Sequence, residues 1–117
     1  MRETAETYHR QRRGNCAQAV AHAWENKVGD PGKTAGRFAG CGGGRAPGGL
    51  CGALYASCTL AGTAAADAIK TAFAERSGGH HTCRAVRATH SLTCNECVGL
   101  AAALLEERLR PEGGHGG

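Results

Sequence analysis

Seven cysteines carry the chemistry of this sequence: Cys16, Cys41, Cys51, Cys58, Cys83, Cys94 and Cys97. A thiolate is both a nucleophile and a soft metal ligand, so seven of them in 117 residues point to metal binding or thiol redox chemistry. Their number is odd. Residues 1–6 are charged, with no apolar stretch of a secretion signal, so the expected compartment is the reducing cytoplasm, where a structural disulfide frame is rare.

Spacing decides which thiols can act together. Cys51, Leu54, Tyr55 and Cys58 recur at helical intervals behind a glycine-rich loop, which predicts a helix beginning near Cys51. Unpaired N–H groups and the positive end of the helix dipole there favour a thiolate. Cys58 lies seven residues further, about 10 Å along the axis and beyond the ~7 Å limit for a disulfide, so it is expected to be a small core side chain. Cys94 and Cys97 are three apart on one face and could share a metal, although Cys97 also fits a packing role. Cys51 and Cys94 are each expected at a helix start, Cys16 beside another, and Cys83 in a loop, so four segments each present a thiol.

Other sites fail on a required residue. The glycine loop lacks the third glycine of a dinucleotide fingerprint, and Gly49 and Leu50 stand where a P-loop needs Lys and Ser or Thr. Only one C-x-x-C pair exists, which excludes a zinc ribbon and a bacterial ferredoxin run, and Val98 replaces the His of a c-type haem site. His80 and His81, beside Cys83, read as a solvated pair, with a ligand or base role as the alternative.

The elements that must position these thiols are all helical. A polar helix is expected over residues 3–13, broken at Gly14, and a second from Cys16 to about residue 27, capped by Asn15. A short helix over 33–39 leads into the glycine loop. The helix from Cys51 runs to about 61, and another follows with Thr63 as its expected cap. Thr93 and Glu96 form a capping box for the last helix, which Pro111 ends. With no β pattern and no internal repeat, the expectation is an all-α compact bundle of four to five helices, a single domain over residues 1–112 with a flexible glycine-rich tail at 113–117.

The hydrophobic fraction of 41% includes much alanine and the aromatic fraction is only 4%, so Trp24, Tyr55, Phe73 and the leucines are expected to carry most burial. So thin a core suggests a metal, a cluster, a disulfide or a second subunit, and a homodimer is expected. The charge of +4 is mild and Arg10, Arg12 and Arg13 have no aromatic interleaving, so no nucleic-acid partner is expected. Nor is a membrane, since no apolar run approaches about 20 residues.

Gly14-Asn15-Cys16-Ala17-Gln18-Ala19-Val20, the glycine loop running into Cys51-Gly52-Ala53-Leu54-Tyr55-Ala56, Cys83 followed by Arg84, and Cys94-x-x-x-Val98 before an Ala/Leu helix together resemble the C_GCAxxG_C_C family, small helical proteins named for redox activity. The resemblance covers most of the chain. A related domain occurs in split-Soret cytochrome c, where a cysteine-bound iron-sulfur cluster accompanies haem. The resemblance implies that Cys16, Cys51, Cys83 and Cys94 converge on one cofactor-binding site, as metal ligands of an iron-sulfur cluster used in electron transfer or redox sensing with a partner protein. Cys41 and Cys97 are candidate additional ligands, and the loop from Cys41 to Leu50 would supply N–H···S bonds. A metal-free thiol/disulfide oxidoreductase and a zinc-stabilised binding module are the alternatives.

Overall fold

The computed structural model describes residues 1–28, 35–38, 40, 49–80, 82, 85, 86, 88 and 92–109. Cys41, Cys83, His81, most of the glycine loop and the expected tail lie outside the described residues. The fold is all-α. Its described helices are α1 (Arg2–Arg10), α2 (Cys16–Val28), α3 (Gly52–Ala61), α4 (Thr63–Arg76) and α5 (Cys94–Leu109), with a 3₁₀ turn at Ala35–Phe38 before α3.

α1 is shorter than the sequence predicts. Arg12, not Gly14, takes the left-handed conformation (φ 58°) that ends it. The Arg12 amide bonds to the His9 carbonyl (3.0 Å) and the Arg13 amide to the Tyr8 carbonyl (3.3 Å), a Schellman closure made without glycine. Gly14 serves close approach instead, since a Cβ there would meet the Tyr8 hydroxyl at 2.6 Å.

α2 begins in a reciprocal cap. The Gln18 amide donates to Asn15 Oδ1 (2.7 Å) and the Asn15 amide donates to Gln18 Oε1 (2.9 Å), which satisfies two donors of the first turn. Asn15 Nδ2 also donates to the Phe38 carbonyl (3.0 Å), tying the 3₁₀ turn to the start of α2. α3 and α4 are joined by Gly62 alone, at φ 93°, and Gly62 is the N-cap of α4. The expectation that Thr63 caps α4 is thus corrected: Thr63 is the first helical residue. α5 has the predicted capping box, with the Glu96 amide donating to Thr93 Oγ1 (3.0 Å) and the Thr93 amide to Glu96 Oε1 (2.8 Å).

α3 is the centre, packing against α2, α4 and α5, while α1 lies across α2 and α5. Its Ser57 hydroxyl donates to the Ala101 carbonyl of α5 (3.0 Å), so even the polar group on its buried face is used. The core is built from Phe73, Leu54, Ile69, Leu105, Val20, Val86 and Val98, with alanines from α2, α3 and α5 between them. Trp24 and Tyr55, expected to carry burial, are only partly buried at its edge. Backbone of Leu50 pairs antiparallel with Thr82, an isolated bridge between the chain neighbours of Cys51 and Cys83. Among the described residues no helix is long and apolar enough to cross a membrane.

Candidate thiol site

Three helix starts place buried sulfur near one another. Cys16 is the first residue of α2, Cys51 is the N-cap of α3, and Cys97 lies in the opening turn of α5, its amide bonded to the Thr93 carbonyl (2.9 Å). Their exposures are 5%, 4% and 4%. The Asn15 cap and the Thr93 capping box fix two of these starts.

Cys51 sits where the helix dipole favours negative charge. Its thiol is held below the ordinary value of 9.0 chiefly by a hydrogen bond from the Cys97 side chain, with the backbone amides of Leu54 and Ala53 adding to it. Burial and the nearby Cys16 sulfur oppose that shift and do not cancel it. Cys97, which the sequence left divided between packing and ligation, is thus the thiol in contact with Cys51.

Cys58 is also buried, but its environment is different. Its Sγ lies 3.6 Å from the Ala66 carbonyl, and burial pushes its thiol up from 9.0. A neutral core side chain, as the helical spacing predicts, accounts for both facts.

Cys94 is exposed, on the side of α5 that meets α1. Its Sγ lies 3.6 Å from His9 Nε2. Asn95 orients that imidazole: its Nδ2 donates to the Glu6 carbonyl (3.0 Å) and its Oδ1 accepts from Arg10 (3.4 Å), so the amide faces one way only. Nδ2 then also donates to His9 Nδ1 (3.1 Å), which puts the ring proton on Nε2, facing sulfur. Burial lowers the His9 pKa and favours this neutral form. Nothing in the sequence pattern joined His9 to Cys94, since residues 85 positions apart meet only through the α1–α5 packing.

Of the four thiols that the resemblance assigns to one site, Cys16 and Cys51 are neighbours, Cys94 is exposed beside His9, and Cys83 is outside the described residues. Cys16, Cys51, Cys58, Cys94 and Cys97 are all thiols rather than disulfides. Among the described residues no group of three or more His, Cys, Asp or Glu side chains is placed to hold a metal ion. His80 is half-buried and its carbonyl accepts from the Ser77 hydroxyl (2.8 Å). Comparison of the chain with models of protein families, with curated proteins and with solved structures finds no match.

Proposed function

We propose that this chain is a redox-active thiol protein whose working couple is Cys51 and Cys97, cycling between dithiol and disulfide. The observation that carries the reading is the hydrogen bond from the Cys97 side chain to a Cys51 sulfur at the N-terminus of α3, which favours ionisation of Cys51 and places its resolving thiol in contact. In the oxidising direction a substrate disulfide takes up two electrons. One of its halves leaves as thiolate when sulfur of this protein attacks, and the other leaves with the proton of Cys97 as the Cys51–Cys97 bond closes. The test is equilibration of the protein with dithiothreitol redox mixtures followed by disulfide mapping. A two-electron transition confined to Cys51 and Cys97 is expected, and thiols that persist at both positions across the range would reject the couple.

A metal-bound form is the second reading, favoured by Cys16, a third buried thiol at a helix start within electrostatic reach of Cys51. Held here, an iron-sulfur cluster would supply one-electron transfer and would need ligands beyond the described residues, with Cys41 and Cys83 as the candidates to complete the neighbours Cys16 and Cys51. Cys94 departs from that set by its exposure beside His9. Iron, sulfide and zinc analysis of anaerobically prepared protein separates the forms, since stoichiometric zinc with no redox change would mark a zinc-stabilised module. A redox partner protein, a second copy of the chain and a cytoplasmic setting belong to the same proposal, and light scattering of the reduced protein tests the dimer.

A further inference from the structure

The Cys51–Cys97 couple raises a problem of access. Both residues are only 4% exposed, so a disulfide of glutathione size cannot align with either in the structure as it stands. Cys94 is exposed and lies one helical turn before Cys97 on the same helix. Residues three apart on a helix have Cα atoms about 5 Å apart, inside the range a disulfide spans. Cys97 therefore has an exposed cysteine within disulfide-spanning backbone distance on its own helix, and its side chain contacts the buried Cys51 across the helix interface.

We propose that Cys94 is the entry thiol for small-molecule disulfides and that Cys94, Cys97 and Cys51 form a relay from the surface to the buried couple. The inference rests on the couple proposed above. Cys94 occupies the first helical position of α5, where backbone N–H groups point outward, and His9 Nε2 presents its hydrogen to the sulfur. His9 is a positioning residue here: with its proton on Nε2 it donates to Cys94 sulfur and does not act as the base.

The exchange steps balance. Cys94, its proton given up to water, attacks the substrate disulfide R–S–S–R as thiolate, forming a mixed disulfide and releasing one RS⁻. Cys97 sulfur attacks Cys94 sulfur, closing the Cys94–Cys97 bond; the second half departs as RSH with the proton from Cys97. Cys51 thiolate then attacks Cys97 sulfur, forming the Cys51–Cys97 bond and returning Cys94 as thiolate. The substrate gains two electrons and the couple loses two.

The test follows disulfide formation in the reduced full chain by mass spectrometry, with oxidised glutathione as one probe and hydrogen peroxide as another. Peroxide is small enough to reach buried sulfur: Cys51 thiolate attacks its oxygen to give a sulfenic acid, which Cys97 displaces with loss of water. Wild type is expected to form the Cys51–Cys97 disulfide with both probes, and Cys97→Ser to trap glutathione on Cys94. Cys94→Ser is expected to slow the glutathione-driven reaction on the order of tenfold or more, with the peroxide reaction intact. An unchanged glutathione rate in Cys94→Ser overturns the relay and leaves the couple standing. Glutathione trapped on Cys94 with no Cys51–Cys97 disulfide in wild type under either probe overturns the couple, and the relay with it.

Discussion

The Cys97 side chain of α5 donates its hydrogen bond to Cys51 at the start of α3. One contact thus holds together two helices and lowers the thiol pKa of one residue by the placement of another. Replacing Cys97 by Val keeps the volume close and removes the donor. The Cys51 pKa is expected to rise, read from the pH dependence of thiolate ultraviolet absorbance or of alkylation by iodoacetamide.

The same shift has a stability counterpart. Cys51 releases its proton at lower pH folded than unfolded, so its contribution grows as pH rises through the folded value and is complete above 9.0. Denaturation midpoints measured up to that pH should climb less steeply in Cys97→Val than in wild type.

Cys58 reverses that sign. Burial raises its pKa, so unfolding lets it ionise, and its contribution is present at neutral pH and lost as pH rises past 9.0. Cys58→Ala should cost about 1 kcal/mol at neutral pH, through lost burial and a small cavity. Alkylation of Cys51 should be unchanged in that variant, and an altered Cys51 rate would place Cys58 in the site.

Thr93 accepts the Glu96 amide at the start of the helix that carries Cys94 and Cys97. Thr93→Ala should destabilise the fold by about 1 kcal/mol, measured by urea denaturation. Because the first turn loosens before the rest, amide exchange should quicken first at residues 94–97.

At Gly14 a methyl group would press on the Tyr8 ring and on Gln18 Oε1 (2.8 Å), the acceptor of the α2 cap. Tyr8 is stacked on His22 with centroids 4.5 Å apart, so its ring cannot give way without loss. Gly14→Ala should cost about 2 kcal/mol, and Gly36→Ala, where a Cβ meets nothing within 4 Å, serves as its control.

The helices and most of their caps were legible because helix starts are local: Thr93 with Glu96, and Asn15 before Cys16, bond within three residues. The end of α1 was not legible, since glycine is the ordinary left-handed residue and Gly14 stood nearby, yet Arg12 takes that role. At the site, Cys51 at a helix N-terminus could be read from periodicity. The choice between Cys94 and Cys97 could not. Spacing puts both near one face, and only the packing of α5 against α3 on one side and α1 on the other turns Cys97 toward Cys51 and leaves Cys94 beside His9.

The alanine-lined faces of α2, α3 and α5 have a consequence for conformational entropy. Ala17, Ala19, Ala21, Ala53, Ala56, Ala101 and Ala102 are fully buried, and a methyl side chain has no rotamer freedom to lose on folding. Little apolar area is gained at each such position, and little disorder is surrendered. Helices that meet through methyl groups also have no side-chain rearrangement with which to slide past one another. The backbone positions of Cys16, Cys51 and Cys97 are therefore set by rigid helices, and what remains adjustable among them is one χ1 rotation per sulfur.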